Sequence, residues 1–243
     1  MFIEAAIRSI RAQTAADRVR FQIIVGIDHG ATVPASLADD PGIQIAESNG
    51  RTQAAALNAA ATLVEGEFVA FLEDDDLWDP HFVQAAFAAL ELKGFAFLSS
   101  SQLEMAETDQ PLRVHDFPIM SGWLMPRKTW DSVGVFDESY RWHLDNEWLG
   151  RLAVRAVPRC HLVEATVPKN RAAIAADRPA LEALRKHSLG QVELVQHSLS
   201  WPLVFRFVHS GSGLAQIRTD AATKSESDQE YQRLIRDYGR LPW

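Results

Sequence analysis

The sequence predicts an α/β fold: a mostly parallel, doubly wound sheet with a helical C-terminal appendage. Three observations carry that expectation. Short apolar runs alternate with helix-patterned segments up to Leu98, and such alternation marks a sheet covered by helices on both faces. The apolar run Phe68–Leu72 ends in four consecutive acidic residues, Glu73, Asp74, Asp75 and Asp76, where open α/β sheets bind ligands. Beyond residue 170 the strand signal fades and polar helical patterning takes over. The expected division is therefore a domain over 1–170 and a helical extension over 171–243.

Each element has its local reason. Phe2, Ile3, Ala6, Ile7 and Ile10 recur at helical spacing. Phe21–Ile27 is a buried strand ending at Asp28-His29-Gly30, and Ile43–Ile45 is a shorter one before the turn Ser48-Asn49-Gly50. The alanine-rich stretch from Gln53 to Val64 is helical and stops at Gly66. Pro80 to Lys93 forms the next helix, with Asp79 as N-cap and Gly94 at its end. Phe95–Leu98 is a strand, Ser99–Pro118 a polar loop or edge strand, and Ser121–Met125 a short strand. Arg127–Val133 is a helix closed by Gly134. Asn146–Ala156 is another, with Asp145 as N-cap, and Val157–Val167 is strand-like. Pro179–Ser200 is expected to be helical until Trp201-Pro202 breaks it. Leu203–Val208 is a short apolar piece, Ser210–Gly213 a linker, and Ser225–Tyr238 a terminal helix ended by Gly239.

The chain has 243 residues, 47% hydrophobic and 23% charged, which suffices for a proper core. A net charge of −8 argues against a nucleic-acid partner, because phosphate contacts need a basic surface. The single cysteine, Cys160, has no intramolecular partner and is expected in the core of a cytoplasmic protein. No apolar run reaches membrane-spanning length and no signal peptide is evident.

Four adjacent carboxylates repel one another, and such a cluster persists either as a solvated turn or because a cation neutralises it. Two further carboxylates stand where strands or loops meet helices: Asp28 and Asp145. A cation-binding cluster with a separate carboxylate is the equipment for displacing a phosphate leaving group. The cation, Mn²⁺ or Mg²⁺, offsets charge on the departing diphosphate, and the lone carboxylate takes the proton of an attacking hydroxyl.

Four motifs in order support this: Phe21–Gly30, Asn49-Gly50-Arg51 with Ala56-Leu57-Asn58, Glu65–Pro80, and Val133–Glu138 followed by Leu144–Leu152. Over roughly residues 1–170 the chain resembles a family 2 glycosyltransferase of the GT-A fold. That resemblance implies inverting transfer from a nucleotide-diphosphate sugar to a saccharide, lipid-linked or protein acceptor, in cell-envelope polysaccharide synthesis. By it, Asp28 contacts the nucleobase, and Arg51, Asp74 and Asp75 hold the nucleotide sugar. Glu73, Asp75 and Asp76 hold the metal, and Asp145 is the base. Trp123 and His143 are candidates for acceptor contact. The C-terminal helices are candidates for peripheral contact with the inner membrane face or a second copy.

The chain also departs from the pattern. Members of that family open with a central apolar strand, and none precedes Met1, so a sheet lacking that strand is expected. Glu73 stands where an aspartate is usual, His29 where Asp or Asn is common, and Leu144 where an acidic residue often precedes the base. Asp28 and Asp145 also suit bland roles, in a turn and at a helix cap. A rival reading is therefore a catalytically disabled nucleotide-sugar-binding or scaffold protein.

Overall fold

The computed structural model describes residues 2–165 and 190–240. The mixed α/β class holds, but the single expected sheet is divided. The first helix, α1 (Phe2–Arg11), buries Ala6 and Ile7. Two parallel strands follow, β1 (Ile23–Ile27) and β2 (Ile43–Glu47), with a single helical turn α2 (Ala35–Ala38) between them. Helix α3 (Gln53–Ala61) packs across both. Its approach demands Gly26, because a Cβ there would lie 2.3 Å from the Ala56 carbonyl oxygen.

β3 (Phe68–Ala70) opens a second sheet, and β4 (Asp76–Trp78) belongs to a third. Helix α4 (Phe82–Lys93) ends where Gly94 takes φ 67°, in the left-handed region that glycine adopts without strain. β5 (Phe97–Ser100) is followed by a hairpin, β6 (Gln102–Ala106) and β7 (Pro111–His115), in the stretch read as loop or edge strand. β8 (Leu124–Pro126) leads directly into α5 (Arg127–Val133), and α6 (Leu144–Val154) precedes β9 (Arg159–Glu164). β10 (Val192–His197), β11 (Val204–Val208), α7 (Gly213–Thr219) and α8 (Ala221–Tyr238) complete the chain.

The five-stranded sheet has the order β10-β9-β5-β8-β3, with β8 antiparallel to both its neighbours. The four-stranded sheet is β4-β11-β6-β7. Among the described residues β1 pairs only with β2, and β3 only with β8, so the two sheets are parted between β1 and β3. One side chain spans the interval. Gln22 donates to the Leu63 carbonyl at 2.8 Å and accepts from the Glu65 N–H at 2.9 Å, as a peptide group in a neighbouring strand would.

Several expectations need correction. Residues 192–197 are a strand beside β9, not part of a helix over Pro179–Ser200, and 204–208 sit inside the third sheet. Only α7 and α8 answer to the helical extension; residues 166–189, with the rest of that expected helix, lie outside the described residues. β-branched Val192 and Val195 flank Leu194, a composition that suits a half-buried strand. Asp79 does not cap α4. Asp76–Trp78 is a strand, and Asp79 Oδ1 accepts instead from the His81 N–H at 2.9 Å, in the turn before the helix.

The largest core cluster is aromatic. Phe71, Phe97, Trp123, Trp130, Phe136 and Trp148 pack mutually, with ring centroids between 5.2 and 6.4 Å. Each such ring contributes roughly 1.5–3 kcal/mol by leaving water. This cluster fastens α5 and α6 to the five-stranded sheet and fixes where the start of α6 points. Asn58 reinforces the arrangement, its amide pairing with the backbone N–H and carbonyl of Phe136 at 2.9 and 3.0 Å. Cys160 is buried in β9 as expected, and burial pushes its thiol up to about 12.

Candidate active site

Loops at the ends of β1, β2 and β3 are tied into one rim. The His29 N–H donates to the Gly50 carbonyl at 2.8 Å, joining the Asp28 turn to the Arg51 loop. Gly30, at φ 74°, donates its N–H to Glu47 Oε1 at 3.0 Å. Thr52 caps α3, and Gln53 in its first turn donates to Glu73 Oε1 at 2.7 Å. That bond links the Arg51 loop to the acidic turn. Asp28 and Arg51 are both solvent-exposed on this rim.

The four acidic side chains have separate surroundings. Asp74 is exposed at the tip of the turn. Asp75 Oδ2 lies 2.8 Å from His209 Nε2, and Phe2 stacks on that imidazole with centroids 5.3 Å apart. Asp76 is only 1% exposed: the Ser121 hydroxyl donates to Oδ2 at 2.6 Å and the Phe207 N–H to Oδ1 at 3.3 Å. Loss of water, together with the charge of Glu73, holds the Asp76 carboxyl well above the usual carboxylate range. Glu73 is raised too, first by desolvation and then by the charges of Asp75 and Asp145. Arg206, opposite Asp76 in the β11–β4 pair, is the cation that partly offsets this acidity.

Asp145 was expected to cap its helix. It lies instead within the first turn of α6, and its Oδ1 accepts from the N–H and side-chain amide of Asn146 at 2.8 and 3.2 Å. Desolvation raises its pKa, against the lowering effects of the Asn146 bond and of His143 and Arg206. The charge of Asp145 is felt at Glu73, so the start of α6 lies near the acidic turn.

Of the two acceptor candidates, Trp123 falls elsewhere and His143 lies beside Asp145. Trp123 is 0% exposed, at the heart of the aromatic core, with its indole N–H on the Pro118 carbonyl at 2.7 Å. Packed there, just before β8, it has no surface left for an acceptor. His143 is half-buried beneath α8, its Nε2 3.0 Å from Ser227 Oγ. Sequence reasoning missed His209. It sits 134 positions from Asp75, so no spacing could pair them; only the topology does, by inserting β11 beside β4.

Among the described residues no group of three or more His, Cys, Asp or Glu side chains is arranged to hold a metal ion. Asp75 nevertheless offers carboxylate oxygens of the kind that suit Mn²⁺, oriented by His209, with Glu73 close enough to feel its charge. Among the described residues no helix is long and apolar enough to cross a membrane.

The model of the family described as glycosyl transferase family 2 matches residues 2–130, just over half of the chain. The chain belongs to that family, and its enzyme class is glycosyltransferase. Solved structures of S. aureus TarS are similar in fold. TarS 1-349 in complex with UDP-GlcNAc has a TM-score of 0.56 at 10% identity, covering 98% of this chain and 69% of that one. The complex of the same fragment with UDP gives 0.54 at 11%, covering 98% and 68%. A further TarS structure gives 0.50 at 11%, covering 97% and 41%. No curated protein matches.

Proposed function

We propose that this chain transfers a sugar from a nucleoside-diphosphate donor to an acceptor hydroxyl by a single inverting displacement, with Asp145 as general base. The observation that carries this reading is the state of Asp145. It lies in the first turn of α6 rather than at its cap, with Oδ1 on the Asn146 N–H; burial raises its pKa, and its charge is felt at Glu73 in the acidic turn. A base works best when its pKa approaches the working pH, and desolvation moves Asp145 in that direction.

On the donor side, Asp28 meets the base, and Arg51 and Asp74 flank the ribose and diphosphate. Mn²⁺ or Mg²⁺ would be held by Asp75, with Glu73 beside it and His209 orienting its carboxylate, and by the donor's own phosphate oxygens. Such a cation offsets negative charge on a leaving diphosphate. Asp76 stands behind them, and through Ser121 and Phe207 it fixes the turn that presents Asp75. A UDP-sugar is the proposed donor, since TarS 1-349 has been solved with UDP and UDP-GlcNAc. The acceptor is a saccharide, lipid-linked or protein hydroxyl, and the working place is the cytoplasm or the inner membrane face.

The parting of β1 from β3 favours a second reading, a protein that binds the donor without turnover. UDP release from UDP-GlcNAc in Mn²⁺ separates the two. Turnover abolished by Asp145→Asn supports the transferase, whereas UDP binding with no release from the unaltered chain supports the binder.

A further inference from the structure

Helix α8 reaches the segment that leads into α6. Three consecutive backbone N–H groups, of Arg141, Trp142 and His143, donate to the Glu230 carboxylate at 2.7, 2.9 and 3.0 Å. A carboxylate that collects several backbone donors makes strong, charge-assisted bonds. The same segment is held by side chains as well: Ser227 lies 3.0 Å from His143 Nε2, and Glu226 accepts from the Trp142 indole at 3.3 Å. The His143 carbonyl in turn accepts the Glu147 N–H at 2.9 Å, closing the turn that contains Asp145. A continuous path of hydrogen bonds therefore runs from Glu230, through the backbone of 141–143, to the first turn of α6.

We infer that Glu230 is a positioning residue: by gripping three successive N–H groups it sets the height and direction of Asp145 over the cleft. The inference rests on the reading of Asp145 as base. It also assigns α8 a task, that of a brace behind the reacting carboxylate. Glu226 sits on the same helix face but touches only a side chain of the segment, so it serves as an internal control.

The test compares Glu230→Ala, Glu230→Gln and Glu226→Ala in the full chain. UDP release from UDP-GlcNAc with Mn²⁺ supplies kcat and donor KM, and amide hydrogen exchange follows Arg141–His143 and Glu147. Small displacements of a reacting group remote from the mutation cost up to about a hundredfold, so Glu230→Ala should lower kcat by about tenfold to a hundredfold while donor KM changes little. Exchange at 141–143 and at Glu147 should quicken. Glu230→Gln, whose amide oxygen still accepts, should recover part of kcat, and it carries the test if the alanine variant does not fold. Glu226→Ala should leave kcat near the unaltered value. Equal losses from Glu226→Ala and Glu230→Ala, or unchanged exchange at Glu147, would overturn the positioning role. Full UDP release by Asp145→Asn would instead sink the base assignment, whatever Glu230 does. No release from the unaltered protein would remove the transferase reading and the inference with it, whereas unchanged exchange removes the inference alone.

Discussion

His209 Nε2 stands 2.8 Å from Asp75 Oδ2, although the two residues lie 134 positions apart. β11 makes the meeting possible. It runs antiparallel to β4 with Arg206 opposite Asp76, and so delivers the residue just after its end to the acidic turn.

Replacing His209 with Ala should therefore weaken uptake of UDP with Mn²⁺ more than uptake of UDP alone. Loss of one group supporting a metal costs about ten- to a hundredfold in affinity, and calorimetric titration with and without Mn²⁺ reads the difference. Equal affinities in the two titrations would separate His209 from the cation.

Asp145→Asn should reduce kcat for UDP release by about 10²–10⁴-fold, the usual contribution of a general base, with little change in donor KM. The base must be ionised to act. Because desolvation raises its pKa, the acid limb of kcat should lie above the ordinary aspartate value of about 3.9. Activity should fall as pH drops through that raised value, and a flat profile down to the ordinary range would contradict the assignment.

Gly150 faces the ring of Tyr238, where a Cβ would come within 2.4 Å of ring carbon. Tyr238 also donates its hydroxyl to the Glu147 carbonyl at 3.3 Å, so α8 is seated on α6 at this point. Gly150→Ala should push the ring off its seat and cost about 1–3 kcal/mol, the range for overpacking. Urea denaturation measures it, and a loss below about 0.5 kcal/mol, ordinary for surface changes, would mean that α8 is not anchored there.

His115 provides a pH signature in the β6–β7 hairpin. Burial lowers its pKa to about 4, against the opposing charge of Glu104. As pH falls below the unfolded value of about 6.5, the unfolded chain takes up the proton first, so stability is present above that pH and lost as it drops toward 4. His115→Gln does not titrate. Its Tm should lie lower than that of the unaltered protein at neutral pH, and the gap should narrow between pH 6.5 and 4. A constant gap would refute the sign.

Much of this arrangement was legible before any coordinates. The Phe68–Asp76 run announced a strand end crowded with charge, and Gly94, Gly134 and Gly239 marked three helix ends correctly. The order of motifs named the family. What remained hidden was long-range. Val204–Val208 is too short to declare its partners, and its place between β4 and β6 depends on contacts more than a hundred positions away. Trp123 misled because a tryptophan in a motif-rich region suits stacking on sugar as well as core packing, and only burial decides. Asp145 misled differently: an aspartate near a helix start suggests a cap, yet the helix begins at Leu144, two residues before the expected Asn146, with His143 at the cap position.

The parting of the sheets has a practical outcome for anyone handling this polypeptide. Phe68 is 41% exposed on β3, and among the described residues β1 has a strand partner on one side only. Bare rims of this kind recruit extended chains from neighbouring molecules. Concentrated stocks should thus drift toward oligomers with time, and a short apolar peptide added in excess should slow that drift by occupying the rims first.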